Sequence, residues 1–125
     1  MARNTERDAL FKSFGRAFFK RDVDALYECC TPDFSWMTLD EDGTAKTVTG
    51  KSGVAEQLQR RSSHLENIRF EDVQYHHAPD ATFMTFRLTA THKETGNAHE
   101  TIGIERYTFQ DGRIAVKDVY RKATT

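Results

Sequence analysis

Thr82-Phe83-Met84-Thr85-Phe86-Arg87-Leu88-Thr89-Ala90-Thr91 alternates without a break. Met84, Phe86, Leu88 and Ala90 share one face; Phe83, Thr85, Arg87, Thr89 and Thr91 share the other. Period-two alternation rich in threonine and phenylalanine marks a half-buried strand. The turn residues Glu94-Thr95-Gly96-Asn97 follow, then a second strand-like run over 100–109. A two-residue loop at Thr95-Gly96 and a four-residue loop over 94–97 give the same pairing. Met84 then faces Tyr107, Phe86 faces Glu105, Leu88 faces Gly103 and His92 faces His99. A three-residue loop would send Glu105 outward, because a slip of one residue exchanges the faces. The first pairing keeps Tyr107 and Phe109 with the apolar face and is the one expected.

Asp111-Gly112 makes the next reversal. A two-residue turn there would set Glu105 against Asp118 and Arg106 against Lys117, and like charges directly opposite destabilise a sheet. A three-residue loop, Gln110-Asp111-Gly112 with a left-handed glycine, sets Glu105 opposite Lys117 and is preferred. On the other side of the opening strand, Ala78-Pro79-Asp80-Ala81 reads as a turn with proline preset at its second position. It pairs Tyr75 with Met84 and Val73 with Phe86, so Val73, Tyr75 and His77 share the face of Glu105.

Upstream the period changes. Leu10, Phe11, Phe14, Ala17 and Phe18 form one broad apolar stripe of a helix that Thr5 can cap. Asp22 caps a short second helix over 23–30, with Val23, Leu26, Tyr27 and Cys30 inward and Pro32 as its stop. A strand over 34–39 leads through the acidic turn Asp40-Glu41-Asp42-Gly43 to a short return strand over 44–49. Ser52 begins a third helix, with Val54, Leu58 and Leu65 on one side, and residues 68–78 return to strand. Helices segregated from an antiparallel meander make an α+β domain, with three helices and five to six strands. A curved antiparallel sheet wrapped around the long N-terminal helix leaves a conical hollow.

Residues 1–125 are the size of one domain. Charged residues are 30% of the chain and the net charge is −1, so no electrostatic footprint for nucleic acid is visible. No apolar run reaches the roughly 18 residues of a membrane span, and the N-terminus lacks a signal-like stretch. Cys29 and Cys30 are adjacent on the expected second helix, a poor disulfide pair, which points to reduced thiols in a cytoplasmic protein. The acidic turn lacks the spaced ligands of a calcium loop, and Gly50-Lys51-Ser52 lacks the preceding glycine of a phosphate loop. His76 and His77 point to opposite faces, and His92 with His99 has no third ligand at a convincing spacing. Neither a metal nor a cofactor is expected.

The order of elements resembles the nuclear transport factor 2-like superfamily, in its SnoaL-like and ketosteroid-isomerase-like branch. The residues carrying the resemblance are 14–19 running into Arg21-Asp22-Val23-Asp24-Ala25-Leu26, then Pro32-Asp33-Phe34-Ser35-Trp36. The Asp42-Gly43 turn, Gly50 before a helix, and Asp111-Gly112-Arg113-Ile114 leading to Tyr120 complete it. The resemblance covers nearly the whole chain. It implies a cystatin-like α+β cone with a pocket at its open end, and a homodimer through the outer sheet face. The catalytic residues of that branch carry over poorly. Thr38 stands where a ketosteroid isomerase has its proton-shuttling aspartate, and Phe14 where it has a tyrosine donor. Glu105 does fall where the isomerase has its protonated aspartate. Val119 stands where an epoxide hydrolase of the superfamily has a last-strand carboxylate. Steroid isomerisation and epoxide hydrolysis are therefore both disfavoured.

The site expected from the residues centres on Glu105, with Lys117 and His77 as partners in proton transfer and Tyr75 or Tyr107 as hydrogen-bond donors. Phe14, Phe18, Trp36, Val73, Tyr75, Met84, Phe86, Leu88 and Tyr107 are the expected pocket. Burial disfavours a charged carboxylate and a nearby lysine favours it, so Glu105 is either a proton-transfer group or half of a structural ion pair. One function that follows is an acid-base enzyme of isomerase, cyclase or hydrolase type on an apolar carbonyl or cyclic small molecule. The alternative is a non-catalytic ligand-binding or dimerisation module. Phe83, Ile102 and Ile104 on the outer face suit the homodimer.

Overall fold

The long first helix and the last four strands set the architecture. In a computed structural model the protein is described over residues 2–40 and 42–122. Helix α1 spans Ala2–Lys20, α2 Val23–Glu28, and strand β1 Cys30–Leu39. Strand β2 covers Ala45–Thr49 and helix α3 Gly50–His64. Strands β3 (Leu65–His77), β4 (Thr82–His92), β5 (Ala98–Gln110) and β6 (Arg113–Arg121) complete the chain. The six strands form one curved, open sheet in the order β2-β1-β6-β5-β4-β3. Helix α1 lies against its concave face: Phe11 stacks edge-on to Tyr107 at 4.7 Å and Phe14 to the same ring at 5.8 Å.

The α+β cone expected from the sequence is the observed fold, with three helices and six strands. Its sheet is mixed rather than antiparallel throughout, because β1 pairs with β6 in parallel, bringing Trp36 opposite Lys117. The Ile114 N–H donates to the Cys29 carbonyl at 2.9 Å and ties the start of that pairing. Helix α2 stops at Glu28, so Cys30 opens β1 instead of closing the helix. Asp22 does cap α2, its Oδ1 accepting from the Ala25 N–H at 3.1 Å. Thr5 lies inside α1 rather than at its cap. In the turn after β1, Asp42 Oδ1 accepts from the Thr44 N–H at 3.0 Å, while Glu41 is outside the described residues.

Two hairpins differ in register from the expected pairings, yet neither changes a face. Between β4 and β5 the loop is residues 93–96, closed by the His92 N–H donating to the Asn97 carbonyl at 2.9 Å. Gly96, at φ +74, takes the last loop position, and that requirement shifts the loop by one residue. The pairing therefore slides by two, leaving Glu105 opposite Met84, Phe86 opposite Gly103 and His99 opposite Ala90. An even slip keeps Glu105 on the inner face.

Between β5 and β6 the reversal is the two-residue turn Asp111-Gly112, both at positive φ (54 and 77) as a type I′ turn demands. The like-charge clash that argued against this turn is removed by a bulge. Thr108 faces Val116 and Phe109 faces Ile114, so Ala115 is the extra residue. Beyond it Tyr107 faces Lys117, Arg106 faces Asp118 and Glu105 faces Val119. In β3, Tyr75 faces Met84 as expected, but a bulge between Glu71 and Gln74 takes Val73 out of register with Phe86. Asp72 there has φ +54.

The interior is one cluster that includes Phe11, Phe14, Leu26, Phe34, Trp36, Val54, Phe86 and Ile114. Gly103 serves this packing. A Cβ on it would collide with the Tyr120 carbonyl oxygen and stand 3.1 Å from the Phe86 ring, so only glycine lets that ring lie over β5. At the far end of α1, Arg7 reaches the Ala78, Pro79 and Ala81 carbonyls, and His77 bridges Asp8 (2.8 Å) and Thr82 (2.9 Å). These contacts pin the start of the helix to the β3–β4 turn. Among the described residues no helix is long and apolar enough to cross a membrane.

Candidate functional site

Three strands build the site by placing side chains in a row across the concave face. Tyr107 on β5 faces Lys117 on β6, and Lys117 faces Trp36 on β1. Glu105 lies two residues before Tyr107 and so points the same way. All four are buried: Glu105 is 4% exposed, Lys117 3%, Tyr107 2% and Trp36 4%. Lys117 Nζ donates to Glu105 Oε1 at 2.6 Å and to the Tyr107 hydroxyl oxygen at 3.0 Å, while the Tyr107 hydroxyl donates to the same Oε1. The ammonium is also caged by rings, 4.5 Å from the Phe18 centroid and 5.8 Å from those of Phe14 and Trp36.

Glu105 Oε2 is different. It has no hydrogen-bond partner among the described residues and is not closed off from the cavity that Glu105 lines. Oε2 is therefore the oxygen presented to whatever enters. Burial lowers the pKa of Lys117, against the pull of Glu105. Burial first, and the Glu105 charge second, hold the Tyr107 hydroxyl well above the usual tyrosine range. Nearby Cys30 is pushed up to about 12 by burial, so its thiol is protonated and inert at neutral pH.

The cavity has a volume of about 640 Å³ and opens between α3 and the inner sheet face. Of the expected pocket residues, Phe18, Trp36, Phe86 and Leu88 line it together with Glu105 and Lys117. Phe14, Met84 and Tyr107 are buried behind that wall and support it. Tyr75 and Val73 are each 38% exposed and do not line it, and His77 is committed to the clamp on α1. The bulge in β3 is the reason for Val73. His92 and His99 pack edge to face at 5.0 Å on the cavity rim. Among the described residues, no group of three or more His, Cys, Asp or Glu is placed to hold a metal ion.

Sequence reasoning missed Arg61, Arg121, Phe70 and Thr38 in the lining. Signals for three of them were present. Arg61 is three residues after Leu58 and four before Leu65, the basic member of an inward stripe. Arg121 shares the parity of Lys117, and Thr38 that of Trp36. Phe70 became an inner-face residue only through the bulges of β3, which bring it opposite Leu88.

Comparison with known proteins places this geometry. The structure is similar to a nuclear transport factor 2-like protein from Burkholderia xenovorans LB400, with a TM-score of 0.81 and 18% identity over 94% of this chain and 90% of that one. It is also similar to a putative polyketide cyclase from Xanthomonas campestris pv. campestris (TM-score 0.76, 16% identity, 96% and 93% covered). A third similar structure is TerC co-crystallised with polyporic acid (TM-score 0.77, 16% identity, 94% and 92% covered). No curated protein matches the sequence at a significant level. Residues 11–117 match the SnoaL-like domain model, and the chain belongs to that family.

Proposed function

We propose that this protein binds a small cyclic molecule in the cone and moves a proton on it with Glu105. The observation that carries this reading is the division of labour within one carboxylate. Oε1 is held by Lys117 and Tyr107, while Oε2 remains open to an aromatic-walled cavity. A base fixed in orientation, with its charge offset by an ammonium on the far oxygen, suits abstraction of a proton beside a carbonyl. The likeness to a putative polyketide cyclase and to a protein co-crystallised with polyporic acid supports a ring-containing ligand.

A test is hydrogen–deuterium exchange at the carbon next to the carbonyl of cyclic ketones, followed by NMR. The wild-type protein is expected to accelerate exchange, and Glu105→Gln to lose about 10²–10⁴-fold of the acceleration. Equal exchange by both would sink the catalytic step. Saturable ketone binding without any exchange would support the second reading, a non-catalytic binding module. That reading is favoured by the mutual satisfaction of Glu105 Oε1, Lys117 and Tyr107.

The outer sheet face supports self-association. Phe83, Ile102, Ile104 and Tyr120 are exposed there, Tyr120 by 55%, around a shallow concavity that Arg87 also lines. Two copies joined through this face are expected in sedimentation at micromolar concentration. Ile102→Glu with Ile104→Glu is expected to yield the single 14.4 kDa chain, and a wild-type protein already sedimenting as one chain would reject the dimer. The two buried, free thiols suit a reducing, cytoplasmic setting.

A further inference from the structure

We propose that the ligand of this cavity is an organic anion, a planar aromatic acid whose carboxylate lies between Arg61 of α3 and Arg121 of β6. The inference rests on the reading that the cone binds a small molecule, and it assigns that molecule a charge. Arg61 and Arg121 both line the cavity, Arg121 from an exposed position, and neither is within ion-pair or hydrogen-bond distance of an acceptor among the described residues. Arg61 is half-buried, its guanidinium 5.4 Å from the Phe18 ring and 5.3 Å from the Phe70 ring. A cation drawn out of water without a counterion carries a desolvation cost that an incoming carboxylate relieves.

Within the lining the Glu105 charge acts on both arginines, but only from outside contact distance and while held by Lys117. Asp40 is taken by Lys46 at 3.0 Å and Glu105 by Lys117 at 2.6 Å, while Arg60 reaches out to Glu56 at 3.4 Å. Arg61, Arg121 and Lys93 then stand against Glu94 alone among the fixed charges of the lining. Burial lowers the pKa of Arg61 and of Arg121 against the opposing pull of Glu105, and Arg121 adds a smaller repulsion to Arg61. His99 is lowered as well, by burial first, then by His92 and both arginines. The same small region disfavours a third positive charge, as a site for an anion would. A guanidinium presents a planar fork that pairs with both oxygens of a carboxylate, and Phe18, Phe70 and Phe86 supply faces for an aromatic ring.

The experiment uses a matched pair of probes, 2-naphthoate and its uncharged carboxamide. Binding is followed by NMR of the probes and by the fluorescence of Trp36, the chain's one tryptophan. The wild-type protein is expected to bind the naphthoate at least about tenfold more tightly than the carboxamide. Arg61→Gln and Arg121→Gln are each expected to remove most of that preference, read as the ratio of the two affinities within each variant. Arg61→Lys keeps the charge but loses the fork and is expected to fall between. Equal affinity for the two probes, or a preference that survives both glutamine variants, overturns the anion site and leaves the small-molecule reading standing. Failure of both probes to bind the folded wild-type protein overturns both.

Discussion

Lys117→Met is expected to cost about 3–5 kcal/mol of folding stability, the usual range when one partner of a buried ion pair is removed. Lys117 is 3% exposed and Glu105 4%, so both charges are largely withdrawn from bulk solvent. The ammonium serves two acceptors at once, Glu105 Oε1 at 2.6 Å and the Tyr107 hydroxyl at 3.0 Å. Methionine fills a similar volume among Phe14, Phe18 and Trp36, so the loss comes from the stranded carboxylate and not from a void. Adding Glu105→Gln to Lys117→Met is expected to restore much of the stability, because an exchange of both partners for neutral groups costs far less than an exchange of one. Urea unfolding of the wild type, both single variants and the double variant measures the coupling directly. Additive effects in that cycle would show that the pair does not act as a unit.

Phe14→Ala is expected to cost a comparable amount, about 3–5 kcal/mol, and to lower Tm by roughly 10–20 °C. The ring is 3% exposed and touches the sheet through Tyr107, its own helix through Phe18, and β1 through Phe34 at 6.3 Å. Truncation opens a hole between α1 and the sheet that these rings, each held by others, cannot close. Phe14→Leu retains most of the volume and is expected to lose much less. Calorimetry of the three proteins checks the order. A Tm drop for Phe14→Ala of only a degree or two would mean that α1 is not seated on the sheet by this ring.

Phe14 also shows how a family position changes its use. Where the related isomerases are expected to carry a tyrosine donor, this chain has a ring behind the cavity wall, in contact with the ammonium of Lys117. The hydrogen-bond donor to the carboxylate comes instead from Tyr107 on β5, a neighbour two residues from Glu105. The residues proposed to set the chemistry thus lie on the sheet, whose alternation is readable, and the helix supplies apolar cover.

Local periodicity by itself determined the helix stripe of Phe11, Phe14 and Ala17, the turns at Gly96 and Gly112, and the inward face of Glu105 and Lys117. Each of these depends only on residues within a few positions, and a face is decided by parity, which even register slips preserve. Tertiary structure alone decided the rest. The bulge at Ala115 put Tyr107 opposite Lys117, the parallel docking of β1 on β6 added Trp36, and the packing of α3 over the sheet brought Arg61 and Arg121 to one cavity. Those are meetings between segments as far apart as Cys30 and Ile114, governed by packing energies that no single stretch of chain contains.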